Sequence, residues 1–251
     1  MSISRREFVA LTGSALTALA VAPACAMESF DDQTVTRLTA RPKKGIKTTA
    51  AGTTRLGLGD ARDGVLQMPA VVPDKPMPLL VLFHGASSSG ERQLGRFGTI
   101  PSDAGVAVLS LDSRGQTWDA IMRLGFGPDV RFINLALEKV FGQVLVDPAR
   151  LAMGGFSDGA SYALSLGLMN GDLFPKVVGF SPGFLIPGEA QGKPRVFVSH
   201  GTADDVLPID QCSRVIVPEL KKRGYDVTFR EFDGKHEVPP AVVTEAFKWI
   251  A

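Results

Sequence analysis

The most constraining feature of this chain is a serine between two glycines, at the point where an apolar run gives way to a helical pattern. Residues 150–160 read R-L-A-M-G-G-F-S-D-G-A, which contains the motif G-x-S-x-G centred on Ser157. A strand that turns sharply into a helix holds the turn residue in a strained conformation with its side chain outward, and only glycines fit beside it. The motif alone is weak evidence, because a chain with 27 glycines can carry it by chance. Together with its flanking strand and helix patterns, it predicts that Ser157 is an exposed nucleophile.

Three histidines are the candidates for a base that activates this serine. His84 and His200 each end an apolar run and precede a glycine, where a hydrogen-bonded structural histidine is more common than a base. His236 instead lies in a turn-rich loop before the last helical pattern, from which a base can reach across the top of a sheet. Asp204 precedes it as the candidate acid. The chain order Ser157, Asp204, His236 is one that serine hydrolases use for nucleophile, acid and base.

The apolar runs predict an α/β fold with a doubly wound, mostly parallel sheet. Most of the runs are unbroken rather than alternating, which is typical of strands that are covered on both faces, and helical patterns separate them. An antiparallel hairpin over 53–71 opens the domain. The predicted strands that follow are 79–83, 106–111, 151–154, 176–180, 195–199 and 227–232, and the predicted helices are 89–97, 128–142, 158–169, 210–223 and 239–250. In such a sheet the active site lies at the carboxyl ends of the strands.

The first 26 residues have the pattern of an export signal that is cleaved after translocation. The pair Arg5-Arg6 precedes a weakly apolar stretch, and Ala24-Cys25-Ala26 offers a small-x-small cleavage site. The arginine pair resembles a twin-arginine signal, so the export machinery that reads this signal is an expected partner, and the protein is expected to be periplasmic or secreted. An ordinary secretory signal, an uncleaved anchor and a lipoprotein acylated at Cys25 are the alternatives. We expect a linker at 27–52 and one catalytic domain at 53–251.

Composition excludes several classes of function. After cleavage behind Ala26 the chain keeps one cysteine, Cys212, so no intramolecular disulfide is available, and a domain of this size can be held by its core alone. The formal net charge is +1 with both signs dispersed, which gives no reason to expect nucleic acid or stable membrane insertion of the mature chain. The cysteines and histidines do not cluster as metal ligands, so we expect neither a metal nor a cofactor.

Four motifs in order resemble the phospholipase/carboxylesterase branch of the α/β-hydrolase superfamily, whose relatives include acyl-protein thioesterases, feruloyl esterases and polyhydroxybutyrate depolymerases. The resemblance covers about residues 53–251. One position departs from the pattern, because Asp205 stands where a proline commonly follows the acid; Asp204 still keeps the expected distances to its neighbouring motifs. The motifs are Phe83-His84-Gly85, Gly155-Phe156-Ser157-Asp158-Gly159, His200-Gly201-x-x-Asp204 with Pro208, and Gly234-x-His236.

The resemblance implies an oxyanion hole and, with it, the chemistry of an ester hydrolase. The backbone N–H of Asp158, directly after the nucleophile and at a helix N-terminus, is one expected donor. The resemblance implies that the N–H of Ala86 is the other. The expected activity is cofactor-independent hydrolysis of a small-molecule carboxylic ester. A thioesterase or peptidase with the same three residues, and a non-catalytic binding protein on the same fold, remain as alternatives.

The expected substrate pocket is open. The connection after the strand at 176–180 runs only from Ser181 to Pro194, which leaves no room for the helical cap of many lipases. We therefore expect short-chain or aromatic esters as substrates. Two candidate wall residues are Trp118, in a glycine-rich segment where packing under a loop is the alternative, and Phe184.

Overall fold

The computed structural model describes residues 35–48, 51–59, 61–122 and 125–251, and these described residues form one compact unit. The predicted export signal at 1–26 therefore lies outside the described residues, as do Arg5, Arg6 and Cys25. Within the described ranges, no helix combines the length and apolar character that crossing a membrane requires.

An eight-stranded sheet forms the centre of the molecule, in the order β1-β2-β4-β3-β5-β6-β7-β8. β2 pairs antiparallel with both β1 and β4, and the other neighbouring strands are parallel. The strands are β1 Gly52–Arg55, β2 Gly64–Met68, β3 Met77–Phe83, β4 Ala107–Leu111, β5 Val146–Phe156, β6 Lys176–Phe180, β7 Arg195–Gly201 and β8 Val227–Phe232. This arrangement confirms the predicted mostly parallel sheet with an antiparallel opening.

Helices cover both faces of the sheet because its central strands are apolar on both sides. In β3, Leu79, Val81 and Phe83 pack toward α3 and α4, while Leu80 and Leu82 pack toward α1 and α6. The helices are α1 Gly90–Gly95, α2 Ile100–Asp103, α3 Pro128–Phe141, α4 Asp158–Met169, α5 Ser213–Lys222 and α6 Pro240–Ile250. Every residue of α4 after the first is buried, which makes it the central helix that follows Ser157.

The segment at residues 35–48 differs from the predicted linker at 27–52, because part of it packs on the domain. Leu38 is only 1% exposed, and its N–H donates to the side-chain oxygen of Asn170 at 2.9 Å. The amide nitrogen of Asn170 donates in return to the carbonyl of Thr36 at 2.8 Å. The compact unit thus begins before the expected start at residue 53.

Two further features of the fold are the short helix α2 and the connection between β6 and β7. The short helix α2 was not predicted, since four residues that include Pro101 give too little periodicity to detect. The connection between β6 and β7 carries no helix or strand, so no cap of regular structure covers the carboxyl edge at this point.

Candidate active site

Ser157 occupies a strained turn between β5 and α4. Its backbone has φ 57° and ψ −122°, a combination that a residue with a side chain rarely adopts. Because β5 ends at Phe156 and α4 begins at Asp158, a single residue makes the whole reversal. This strained turn places the serine hydroxyl above the carboxyl edge of the sheet, as the motif predicts.

The two glycines of the motif are required by close backbone contacts. A Cβ on Gly155 would lie 2.2 Å from the carbonyl oxygen of Gly159, and a Cβ on Gly159 would lie 2.4 Å from the carbonyl oxygen of Phe83. Real Cβ atoms do not approach backbone oxygens this closely, so any other residue would push α4 away from β3 and β5. The glycines thus fix the height and direction of the Ser157 side chain.

The three predicted residues meet at the sheet edge in one chain of hydrogen bonds. The His236 Nε2 atom is 2.9 Å from the Ser157 Oγ atom, and the His236 Nδ1 atom is 2.7 Å from the Asp204 Oδ2 atom. The serine follows β5, the acid follows β7 and the histidine follows β8. The side chain of Asp204 is fully buried and that of His236 is 13% exposed. Residues 79 positions apart in sequence are therefore brought within proton-transfer distance.

The surroundings of Asp204 keep it ionised. Burial opposes the charge, but the hydrogen bond from His236 and the N–H groups of Val206 and Leu207, which donate to Oδ1 at 3.0 and 2.8 Å, outweigh it and hold the pKa of Asp204 below its ordinary value. An ionised Asp204 accepts from Nδ1–H of His236, which leaves Nε2 free to accept the Ser157 proton.

Asp205, the residue that departs from the family pattern, points away from this chain of hydrogen bonds. Its Oδ2 atom lies 3.1 Å from the Nζ atom of Lys235, and both side chains are exposed. The ion pair with Lys235 lowers the pKa of Asp205. The structure thus brings Asp204, not its neighbour, to His236.

His200 is a functional neighbour whose contact with the acid the sequence did not reveal. Its buried Nε2 atom lies 2.7 Å from the carbonyl oxygen of Leu207 and 3.1 Å from Oδ2 of Asp204, while its Nδ1 atom lies 2.7 Å from the hydroxyl of Ser213. Burial lowers the pKa of His200, so the ring is neutral. Its Nε2–H is shared between the carbonyl oxygen of Leu207 and Oδ2 of Asp204, and Nδ1 accepts from Ser213. The four-residue spacing from Asp204 is the signal that could have found it.

The loop after β3, residues 84–89, lies directly against the nucleophile. A Cβ on Gly85 would be 3.2 Å from the Cβ of Ser157. The His84 Nδ1 atom lies 2.6 Å from the carbonyl oxygen of Gly85, and its Nε2 atom accepts from the N–H of Ser113 at 3.0 Å. His84 therefore carries its proton on Nδ1 and donates it to Gly85.

This donation orients the peptide group that was expected to form half of the oxyanion hole. In a trans peptide the C=O of Gly85 and the N–H of Ala86 point in opposite directions, so a hydrogen bond that fixes the direction of the C=O also fixes the direction of the N–H. Neither the N–H of Ala86 nor that of Asp158 donates to another group within the described ranges. Both donors are therefore available to the oxygen of a bound substrate.

Trp118, one of the two candidate wall residues, does not line the pocket and is instead the packing residue under a loop that the sequence also indicated. It is 0% exposed, its indole N–H donates to the carbonyl of His84 at 2.9 Å, and its ring stacks on Tyr162 at a centroid distance of 5.0 Å. A buried indole whose N–H is satisfied is a packing residue. Trp118 thus supports the loop after β3 from beneath.

Phe184 is 45% exposed and lies near the start of α4. Its N–H and that of Gly183 donate to the hydroxyl of Ser161, one helical turn after Ser157. A cavity of about 410 Å³ is lined by apolar groups around it, namely Ala120, Ile121, Gly125, Phe184, Leu185, Ile186 and Pro187.

Among the residues that the structure describes, no group of three His, Cys, Asp or Glu side chains is arranged to hold a metal ion.

The fold and this edge define the class of the protein, that of the α/β-hydrolases. Residues 130–251, just under half of the chain, match the family model described as phospholipase/carboxylesterase, so this part of the chain is similar to that branch of the superfamily. The N-terminal half, which carries the loop after β3, lies outside the matched range.

Similar proteins agree with this placement. The chain is 29% identical, over 69% of its length, to the candidate esterase NocK of Nocardia uniformis subsp. tsuyamanensis, and 27% identical, over 45%, to acyl-protein thioesterase 1 of Gibberella zeae. It spans about half the length of these curated relatives, 53% and 52% respectively. The crystal structure of esterase PE8 superposes with a TM-score of 0.61 at 22% identity, covering 75% of this chain and 97% of that one. This likeness supports the fold.

Proposed function

We propose that this protein is a serine carboxylic-ester hydrolase that works through Ser157, His236 and Asp204. The observation that carries the proposal is the continuous hydrogen-bonded path from the strained Ser157 hydroxyl through His236 to Asp204, with distances of 2.9 and 2.7 Å. A serine hydroxyl is too weak an acid to attack a carbonyl unaided, and this path supplies the base and the group that orients it.

In the proposed reaction, His236 accepts the Ser157 proton while the serine oxygen bonds to the ester carbonyl. The resulting oxyanion is stabilised by the N–H groups of Ala86 and Asp158, each of which is worth about 3–4 kcal/mol in comparable sites. His236 then gives its proton to the leaving alcohol as the C–O bond breaks, which leaves an acyl group on Ser157. Water, deprotonated by the same histidine, releases the acid and restores the serine.

The proposed substrates are short-chain or aromatic esters. The apolar cavity beside Phe184 has a volume of about 410 Å³, and in the described residues no cap lies over the edge between β6 and β7. Each further methylene that stays in water forgoes about 0.8 kcal/mol, so long acyl chains gain little. Across p-nitrophenyl esters from C2 to C16 we expect kcat/KM to peak at short chains without interfacial activation; a peak at C12 or above would contradict this substrate class.

A thioester substrate is the second candidate, because one relative is an acyl-protein thioesterase. The same triad attacks either carbonyl, so matched oxygen and sulfur esters of one acyl group separate the two. An oxygen ester favoured in kcat/KM supports the first proposal, and a thioester favoured by an order of magnitude or more supports the second.

A fluorophosphonate probe tests the nucleophile itself. We expect one covalent adduct per chain, located on Ser157 by peptide mass spectrometry, and none in Ser157→Ala. Ser161→Ala is the matched control, since that serine lies one turn further along α4 and its hydroxyl accepts loop N–H groups. Labelling at another serine, or none in the intact protein, would refute the proposal and favour a non-catalytic binding protein.

We also propose that the protein is exported by the twin-arginine route. The support is the Arg5-Arg6 pair before a short, weakly apolar stretch and the Ala24-Cys25-Ala26 site. A protein exported by this route crosses the membrane already folded. This suits a domain with a single remaining cysteine, because such a domain has no intramolecular disulfide to form after export.

A further inference from the structure

A polar cleft of about 810 Å³ opens beside the loop after β3. Two guanidinium groups, three hydroxyl-bearing residues and one amide line it: Arg62, Arg92, Ser87, Ser88, Ser89 and Gln116. The catalytic scheme proposed above uses none of these side chains.

The walls of the cleft are joined to the proposed reaction centre. One wall is the loop after β3, whose Gly85 faces the Cβ of Ser157. The N–H of Ser87 donates to the carbonyl of Gln116 in the opposite wall at 2.8 Å, and the next residue, Thr117, donates its hydroxyl to the Asp158 carboxylate at 2.7 Å. The cleft therefore adjoins the loop that contacts Ser157, so a substrate bound at Ser157 has its ester group next to this cleft.

The cleft carries positive charge that the described residues leave without a carboxylate partner. The Nη2 atom of Arg62 donates to neutral acceptors, namely Nε2 of His84 at 3.2 Å, the Ser88 carbonyl at 3.3 Å and the Ser113 hydroxyl at 3.1 Å. Its Nε atom donates to the Ser113 carbonyl, and in the described ranges nothing accepts from Nη1. This guanidinium is half-buried, so it has lost part of its hydration without gaining a counter-charge.

Arg92 adds a second charge at the solvent side. It is exposed, and it forms no ion pair with any carboxylate in the described part of the chain. Glu91 is the one acidic residue of the lining, so one positive charge remains in excess. Guanidinium groups recognise planar anions through paired N–H donors, and the serine hydroxyls and Gln116 add neutral donors.

We propose that this cleft binds an anionic group, a carboxylate or a phosphate, carried by the ester substrate. The inference rests on the proposed esterase function and adds a substrate class to it: esters with a negative charge set a few bonds away from the scissile carbonyl. Arg62 holds the anion through its free edge, and Arg92 attracts it from solvent.

Matched substrate pairs test the proposal and locate the charge. Mono-4-nitrophenyl glutarate against 4-nitrophenyl pentanoate places a carboxylate on the acyl side, and 4-acetoxybenzoate against 4-acetoxybenzamide places it on the alcohol side; 4-acetoxyphenyl phosphate replaces the carboxylate by a phosphate. We expect the anionic member of at least one pair to have the higher kcat/KM, by about tenfold or more at low salt, with the ratio falling as ionic strength rises.

Three variants connect that ratio to the cleft. Arg62→Gln should lower the anionic-to-neutral ratio by about tenfold or more, since a charge-assisted hydrogen bond is lost, and Arg92→Gln by about two- to fivefold, as for an exposed pair. Arg92→Glu should lower it further. Because the ratio cancels general damage to the loop, the effect of Arg62→Gln is interpretable even if turnover falls.

Arg55→Gln is the matched control, since it removes the same charge from an exposed residue of β1 that does not line the cleft. Its ratio should equal that of the unaltered protein. Ratios near one for every pair, or ratios that Arg92→Glu and Arg62→Gln leave unchanged, would overturn the anion proposal alone. Absence of turnover of all esters, together with absence of probe labelling at Ser157, would instead refute the esterase function.

Discussion

Asp204→Asn is the substitution whose effect the geometry defines most closely. The Oδ1 atom of Asp204 accepts two backbone N–H groups, from Val206 and Leu207, so the amide oxygen of an asparagine must take that position. Its NH₂ group then occupies the Oδ2 position, 2.7 Å from Nδ1 of His236 and 3.1 Å from Nε2 of His200. Two donors cannot share a hydrogen bond, so His236 must accept at Nδ1 and carry its proton on Nε2.

That tautomer cannot take the proton of Ser157. The same change in the triad of a serine protease lowers turnover by about 10⁴-fold, which corresponds to about 5.4 kcal/mol of transition-state stabilisation. We expect a loss of the same order here in kcat/KM for 4-nitrophenyl acetate. Because Oδ1 keeps its two N–H donors, the altered chain should still fold, which circular dichroism and thermal unfolding will show.

Asp205→Asn is the matched control, because it makes the same chemical change one residue later. Asp205 is exposed and pairs only with Lys235 among the described residues, so kcat/KM should stay within about fivefold of the unaltered value. A folded Asp204→Asn variant with more than a tenth of the original kcat/KM, or a larger loss at Asp205, would refute this assignment of the acid.

Three further outcomes are expected. His200→Leu removes a donor to the triad acid and should move the acid limb of kcat/KM against pH to higher pH, whereas His200→Asn, which retains a donor, should move it less; identical profiles would reduce His200 to a packing role. Arg5→Lys with Arg6→Lys should leave precursor in the cytoplasm because the pair is read by a receptor, and unchanged export by immunoblot of cell fractions would favour the general secretory route. Burial raises the pKa of Asp129 from 3.8 to about 6. Between about pH 4 and 6 the folded chain therefore keeps a proton on Asp129 that the unfolded chain has released. Because of this, the contribution of Asp129 to the free energy of unfolding falls as pH rises through that window. Urea unfolding should show a smaller decline across that window in Asp129→Asn; an equal decline would exclude Asp129 as its source.

The sheet was predictable because its strands are long apolar runs between clear turn residues. The run that becomes β3 is buried at all seven positions, which is the pattern of a strand covered on both faces. The helix α2 escaped detection because four residues contain no complete period. The packing of residues 35–48 was also missed, because Leu38 binds through a backbone N–H to Asn170, 132 positions away, and a single apolar residue in a polar segment gives no periodic signal.

Within the site, the positions that follow strands could be predicted and the contacts between them could not. Ser157, Asp204 and His236 stand out by motif and chain order, but Trp118 shows the limit of residue type as a guide. A tryptophan beside glycines at a strand end is compatible with a pocket wall or with packing, and only the carbonyl of His84 that accepts its N–H decides between them. Such a partner is 34 positions away and leaves no trace in the local pattern.

His84 connects the two proposed halves of the site. Its Nε2 atom accepts from the N–H of Ser113 and lies 3.2 Å from Nη2 of Arg62, so both neighbours require a neutral ring with its proton on Nδ1. Burial lowers the pKa of His84, and the positive charge of Arg62 lowers it further, against the bond to Gly85 and the neighbouring carboxylates. The Nδ1–H then holds the carbonyl of Gly85 and aims the N–H of Ala86 at the position proposed for the oxyanion.

The same arginine therefore has two effects in this scheme. Its Nη1 group, which has no acceptor in the described residues, binds an anionic substrate, and its Nη2 group fixes the tautomer of His84 that orients an oxyanion donor. A substitution at Arg62 should consequently reduce kcat for neutral esters as well as selectivity, whereas a substitution at Arg92 should alter selectivity alone. Kinetic constants of Arg62→Gln and Arg92→Gln on 4-nitrophenyl pentanoate separate these effects. Equal kcat values in the two variants would show that the tautomer of His84 is held by Ser113 without help from Arg62.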